Sequence, residues 1–237
     1  MMTPFIAEFI GTAIVITIGN GVVANVILPK TKGQNGGLVA IVLGWTMAVF
    51  IGVYFSSKIS GGHLNPMVTI SLATAGKFDW ALVPTYILAQ LLGAMVGAFV
   101  VWMLYKDHFN ETEDQATILA CFSTGPAIRN LPQNFIVETF ASFVFMLSIF
   151  YIQPAALEMG ALGAVPVALL VAGIGFGLGG PTGWAINPAR DFGPRMMHNL
   201  LPIKGKGRSD WAYSLIPILG PIVGGIIASI IYLHFLQ

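Results

Sequence analysis

Two asparagines, Asn65 and Asn187, stand in matching surroundings: Gly61-Gly62-His63-Leu64-Asn65-Pro66-Met67-Val68-Thr69 and Gly183-Trp184-Ala185-Ile186-Asn187-Pro188-Ala189-Arg190-Asp191. An Asn side chain has one acceptor oxygen and an NH₂ group. The oxygen can bind the first free N–H groups of a helix while the NH₂ donates outward. Asn as N-cap followed by Pro at the first helical position is how a helix start reads. Two such donors facing one point would hold a passing oxygen atom, which is chemistry of passage and not of bond making. Nothing in the chain has the spacing of an enzyme. His63, His108, His198 and His234 are scattered, with neither metal-ligand spacing nor a nucleophile–base pairing, and only His63 is placed to line a pore. The glycine run Gly173 to Gly180 lacks the strand–helix unit of a dinucleotide site and is better explained as small residues for close helix packing. No catalytic residue, metal ligand or cofactor is expected.

The elements that carry the asparagines are unusual in length. A helix from Pro66 to about Gly76 spans roughly 16 Å at about 1.5 Å per residue, half of the ~30 Å hydrocarbon core of a bilayer. It is a half-span. The 237 residues are 56% hydrophobic and only 9% charged, with a mean hydropathy of +0.80, so the chain is an integral membrane protein with the lipid bilayer as its surroundings. A formal net charge of +1 gives no reason to expect a nucleic-acid partner. The single Cys121 rules out an internal disulfide. The N-terminal stretch has no positive region and carries Glu8, so it is expected to be a first membrane helix and not a removed signal peptide.

Six apolar runs are long enough to cross: Pro4 to about Leu28, Leu38 to Ser57, Ala81 to Tyr105, Phe135 to Gln153, Ala161 to about Gly180, and Trp211 to Phe235. One Asn-Pro half-helix lies between runs two and three, the other between runs five and six. A polar connector at about 106–134 separates two repeats of one membrane domain, about 1–107 and 133–237. Glu8 corresponds to Glu138, and Gly93 with Gly97 to Gly220 with Gly224. Three spans per repeat is an odd number, so the second repeat enters the membrane in the opposite sense. The expected fold is all-α, six transmembrane helices plus two re-entrant half-helices in an inverted-topology repeat. The half-helices can then meet N-terminus to N-terminus near the midplane. Irregular backbone at that depth is tolerated where it lines a cavity, which applies to Gly61, Gly62, His63 and Leu64 and to Gly183 and Ala185. The two positive helix ends, about half a charge each, would repel cations and protonated water. Arg190 in a helix first turn opposes the dipole and is costly in a membrane, so it asks for a functional reason.

With these motifs the chain resembles the aquaporin family over essentially its whole length, and the glycerol-facilitator (aquaglyceroporin) branch more than the water-specific one. Asp191 after the arginine, Arg195, Pro217-Ile218 and Tyr105 resemble the set of that branch. The resemblance implies a homotetramer in a cell membrane, each protomer with its own passive pore and with Asn65 and Asn187 at the pore centre. It implies a selectivity filter of Trp45, Gly175, Trp184 and Arg190, where two indoles face the CH groups of a small polyol and the guanidinium takes its hydroxyls. Either indole alone would also suit an interfacial belt. Glu8 and Glu138 are implied to support the re-entrant loops; Asp191, by its place in the first turn, is also expected to balance Arg190 and the helix dipole. Two positions depart from the family pattern: Met67, where Ala is usual, and Trp184, where the glycerol branch more often has Phe. The resemblance also implies both termini in the cytoplasm, which leaves only Lys58 and Lys77 inside, whereas the positive-inside rule points the other way.

The function expected is passive passage of glycerol, other small neutral solutes and some water, with ions and protons excluded. A channel for water, lactic acid or urea is the alternative within the family. An ion-coupled secondary transporter, which also uses inverted repeats and broken helices, is the alternative of another class.

Overall fold

The computed structural model describes residues 2–158 and 162–235, with side chains described outside 153–158. Among the described residues ten α-helices follow in order: α1 Pro4–Ile27, α2 Gly37–Ser60, α3 Pro66–Thr74, α4 Val83–Leu104, α5 Lys106–Asn110, α6 Gln115–Ala120, α7 Leu131–Glu158, α8 Val165–Leu178, α9 Pro188–Leu200 and α10 Trp211–Phe235. Five of them sit in spans long and apolar enough to cross a bilayer. The sixth place is taken by α8, which at 14 residues is shorter than the expected run. Its expected start, Ala161, lies outside the described residues, as do Met1 and the last two residues of the second repeat.

The half-helices begin where the sequence says they should. Asn65 and Asn187 have extended backbones, and each caps its helix with its own side-chain oxygen ahead of a Pro. The first helix, α1, starts in the same way on Thr3, whose hydroxyl accepts from the N–H of Ile6 at 3.3 Å.

Packing repeats in the two halves. Helix α1 packs on α2 and α4, as α7 packs on α8 and α10. The short helices cross over: α9 lies on α4 and α3 on α10, while α2 meets α8. The glycine pairs explain the tightest of these approaches. A Cβ at Gly97 would sit 2.7 Å from the Ala13 carbonyl oxygen, and one at Gly93 would overlap the Phe9 carbonyl. In the other half, a Cβ at Gly220 would lie 2.9 Å from Glu138 Cβ, and one at Gly224 would overlap the Thr139 carbonyl. Helices in lipid associate by close packing of this kind, because lipid tails are as apolar as leucine. The connector carries α5 and α6 and folds back over the bundle, where Phe109, Ile118, Cys121 and Phe122 are buried.

Candidate functional site

The starts of α3 and α9 meet and lock reciprocally. Asn65 accepts from the N–H of Met67 at 2.9 Å and donates from Nδ2 to the Ile186 carbonyl at 3.0 Å. Asn187 accepts from the N–H groups of Ala189 and Arg190 at 3.0 and 3.2 Å and donates to the Leu64 carbonyl at 2.9 Å. Each NH₂ spends one hydrogen on the opposite motif and keeps one. Both asparagines line a cavity of 630 Å³.

The loops leading to them are bent into unusual backbone. Leu64, Trp184 and Ile186 have φ of 51°, 40° and 42°, a conformation that costs on the order of 1 kcal/mol or more for a residue with a side chain. Two buried carboxylates hold it. Glu8 accepts from the N–H groups of His63 and Leu64 at 3.0 and 2.7 Å, from Ser60 Oγ at 2.6 Å and from Gln90 Nε2 at 2.7 Å. Glu138 accepts from the N–H groups of Ala185 and Ile186, both at 3.0 Å. Hydrogen bonds to a charged acceptor are about twice as strong as neutral ones, which fits their task of fixing strained loops.

Farther along the cavity wall, Arg190 stacks on Trp45, with its Cζ 4.3 Å from the ring centroid, and Trp184 stands beside them. Guanidinium NH1 donates to the Phe122 carbonyl at 3.4 Å, leaving most of its five donors uncommitted to the protein. Gly175 does not itself line the cavity. A Cβ there would meet both Val42 methyls at 3.1 Å and Trp184 Cε2 at 3.3 Å, so the indole leans into the room the glycine leaves. Asp191 accepts from the N–H and hydroxyl of Thr124 at 2.8 and 2.7 Å and pairs with Arg195 at 2.8 Å, tying the connector to α9.

The remaining expected positions divide. Gly61, Gly62, His63, Leu64 and Ala185 line the cavity. His63 is held by Thr69, with Nδ1 3.1 Å from Oγ1, and by the rings of Phe78 and Tyr86. Gly183 is not among the lining residues: a Cβ there would touch Thr124 of the connector. Met67 is fully buried and points away from the meeting of the half-helices. Its sulfur fills a notch at Gly225 of α10, where a Cβ would lie 2.8 Å from Sδ. The larger side chain therefore leaves the Asn65–Asn187 contacts in place.

Sequence reasoning missed Ser60, Gln90, Asn20, Thr124, Ile186 and the Phe122 carbonyl. Gln90 and Asn20 carried a usable signal, since each is a lone amide in an apolar span. Phe122 acts through its backbone and carried none. The finished wall is two-sided. Val15, Val49, Val68, Phe145 and Val171 form an apolar side, faced by two amides, the loop backbone and a guanidinium. Lys58 and Lys77 lie at the end of the cavity by the C-terminus of α2, and no Asp or Glu is among the lining residues described. The charge along the described part of the path is thus of one sign.

Comparison with known proteins agrees with this architecture. Residues 1–232 match the family described as Major intrinsic protein. The chain is 50% identical over 231 residues to the "Probable glycerol uptake facilitator protein" of Thermotoga maritima, covering 98% of each. It is 48% identical over 235 residues to the "Glycerol uptake facilitator protein" of Streptococcus pneumoniae, covering 99% of this chain and 100% of that one. Among solved structures, the aquaglyceroporin from Plasmodium falciparum superposes with a TM-score of 0.85 at 33% identity, over 98% of this chain and 95% of that one.

Proposed function

The chain belongs to the major intrinsic protein family, and from that premise we propose that it is a passive channel for glycerol and other small neutral solutes. Water passes with them, and ions and protons do not. The observation that carries the reading is the two-sided wall: the Trp45 and Trp184 rings beside the free N–H donors of Arg190 and the two asparagines. A polyol can lay its CH groups on the rings while its hydroxyls take the donors one after another. Trp45, Gly175, Trp184 and Arg190 act as the selectivity filter, and Asn65 with Asn187 as the central constriction. There the helix ends and one remaining hydrogen on each amide favour a neutral oxygen over a cation.

Passive passage fits the state of the buried acids. Glu8 and Glu138 are taken up by N–H and O–H donors of their own loops, so neither is placed to couple an ion to transport. Each protomer of a homotetramer would carry its own pore.

Stopped-flow light scattering on purified protein in liposomes tests the proposal. Glycerol permeability should rise well above that of protein-free liposomes, without saturating at low concentration and without a proton or sodium gradient. Arg190→Ala should still pass glycerol and water, with the ratio of glycerol to water lowered, while loosening the exclusion of protons or cations. Glycerol entry no faster than through bare lipid, or dependent on an ion gradient, would refute the channel reading.

A further inference from the structure

Helix α1 touches both sides of the filter through two adjacent residues. Gly19 is pressed against the six-membered ring of Trp45, leaving no room for a Cβ. Its neighbour Asn20, buried and 1% exposed, donates from Nδ2 to the Phe122 carbonyl at 3.2 Å. That carbonyl is the one that accepts from Arg190 NH1. Its two lone pairs are thus divided between an amide on α1 and the guanidinium on α9, across sequence separations of 102 and 68 residues.

An asparagine in an apolar span is costly unless it has a task. The Asn20 oxygen has no hydrogen-bond partner among the described residues, so the bond to Phe122 is the one this amide makes to the protein. The 3.4 Å bond between Arg190 and Phe122 is long, and the other contact described for the guanidinium is with the face of Trp45. Where the carbonyl sits therefore decides where the guanidinium sits. The Phe122 ring itself is packed against Phe109 and His198, which fixes the residue from behind but does not aim its carbonyl.

We infer that Asn20 is a positioning residue of the channel: it aims the Phe122 carbonyl that holds Arg190, and through it sets the preference for polyol over water. The inference rests on the filter role given to Arg190 under the proposed function. Loss of the Asn20 donor frees the carbonyl to rotate, lets the guanidinium drift along the indole, and removes a hydroxyl partner from its place. A water molecule, which needs no such alignment, passes as before.

The test is a double-mutant cycle read as the ratio of glycerol to water permeability in liposomes. Asn20→Leu should lower the ratio about fivefold, the factor that losing one ordinary hydrogen bond amounts to. In an Arg190→Ala background the same substitution should change it less than about twofold, because the group it positions is gone. An equal effect in both backgrounds, or no effect in the unmodified channel, overturns the inference. If Arg190→Ala alone leaves the ratio untouched, the filter reading fails instead, which separates the two. Should Asn20→Leu not yield folded protein, Asn20→Ala removes the donor without adding bulk or charge. The same cycle with it must give the same pattern, and any other pattern overturns the inference.

Discussion

A methyl group placed at Gly175 probes the filter more finely than any deletion. The added Cβ would lie 3.1 Å from both Val42 methyls and 3.3 Å from Trp184 Cε2, against an unstrained carbon–carbon separation of about 3.5–4.0 Å. Something must yield by about 0.2–0.9 Å. Val42 is fully buried between α2 and α8, whereas the Trp184 indole borders open space, so the ring is the part that moves, toward the cavity. Overpacking of this kind costs about 1–3 kcal/mol in a packed interior. A glycerol molecule that must push the ring back meets part of that cost in its own barrier. If about 1 kcal/mol of it appears there, glycerol permeability falls about fivefold. Water, narrower in cross-section, should keep most of its rate. Gly175→His adds a ring and a donor in the same place and should cut glycerol flux more than tenfold, a barrier increase above about 1.4 kcal/mol. Combining Gly175→Ala with Val42→Ala gives the methyl a place to go and should restore glycerol flux. The assay is stopped-flow light scattering with water and glycerol gradients on the same liposome preparation. Wild-type glycerol flux in Gly175→Ala, or water falling in step with glycerol, would refute the idea that the indole and the glycine share one space.

Three further outcomes are expected. Met67→Ala should cost about 2–5 kcal/mol of stability by emptying a fully buried site. With Ser71→Ala added as well, Gly225→Ala should cost less than it does alone, because a Cβ at Gly225 otherwise meets Ser71 Oγ and Met67 Sδ and then enters vacated space; thermal unfolding in detergent reads both. Glu138→Gln replaces one acceptor oxygen with a donor facing an N–H and should cost about 1.5–3 kcal/mol, seen as a lower melting temperature together with reduced glycerol flux. Outside the membrane, the Arg129 guanidinium, bonded to both oxygens of Asp210 at 2.7 and 2.9 Å, holds that carboxyl below its ordinary value of 3.8. A depressed folded-state pKa means that the pair's contribution is complete above about pH 4 and is lost as pH falls through the lower folded value. The pair is partly exposed and worth less than about 1 kcal/mol. Melting temperature should therefore dip slightly below pH 4, and Asp210→Asn should remove the dip.

The sequence made the half-helices legible because Asn-Pro after glycine is a local signal, and it made the second one meaningful because the motif recurs at an equivalent place. Glu8 and Glu138 were legible for a similar reason: an acid in an apolar span has to be explained. What sequence could not supply were contacts between residues far apart in the chain. Gly225 reads as one more small residue until Met67, 158 positions earlier, is seen to fill its notch. The Phe122 carbonyl belongs to every residue type and marks nothing. Gly183 was expected on the wall because the whole loop was, but it sits outside the cavity lining, where a Cβ would meet Thr124 of the connector. The run expected for α8 ends beyond the helix because apolar and small residues continue past Leu178 through Gly179 and Gly180, while its expected start, Ala161, lies outside the described residues.

The reciprocal lock also has a bearing on biogenesis. The bonds from Asn65 to Ile186 and from Asn187 to Leu64 join residues 121 and 123 positions apart. A ribosome adding about 5–20 residues per second delivers the second motif some 6–24 s after the first. Through that interval α3 has no opposite loop to bind, and the Leu64 carbonyl lacks its Asn187 donor. Until then Glu8 alone of the two supports can hold the first loop, and the pore wall closes only when the last third of the chain arrives. Chains halted before Ile186 should label an engineered cysteine at position 64 faster with a water-soluble thiol reagent than the finished protein does, where that position is 4% exposed and lines a narrow cavity. Equal labelling of halted and finished chains would show that the first loop sets without its counterpart.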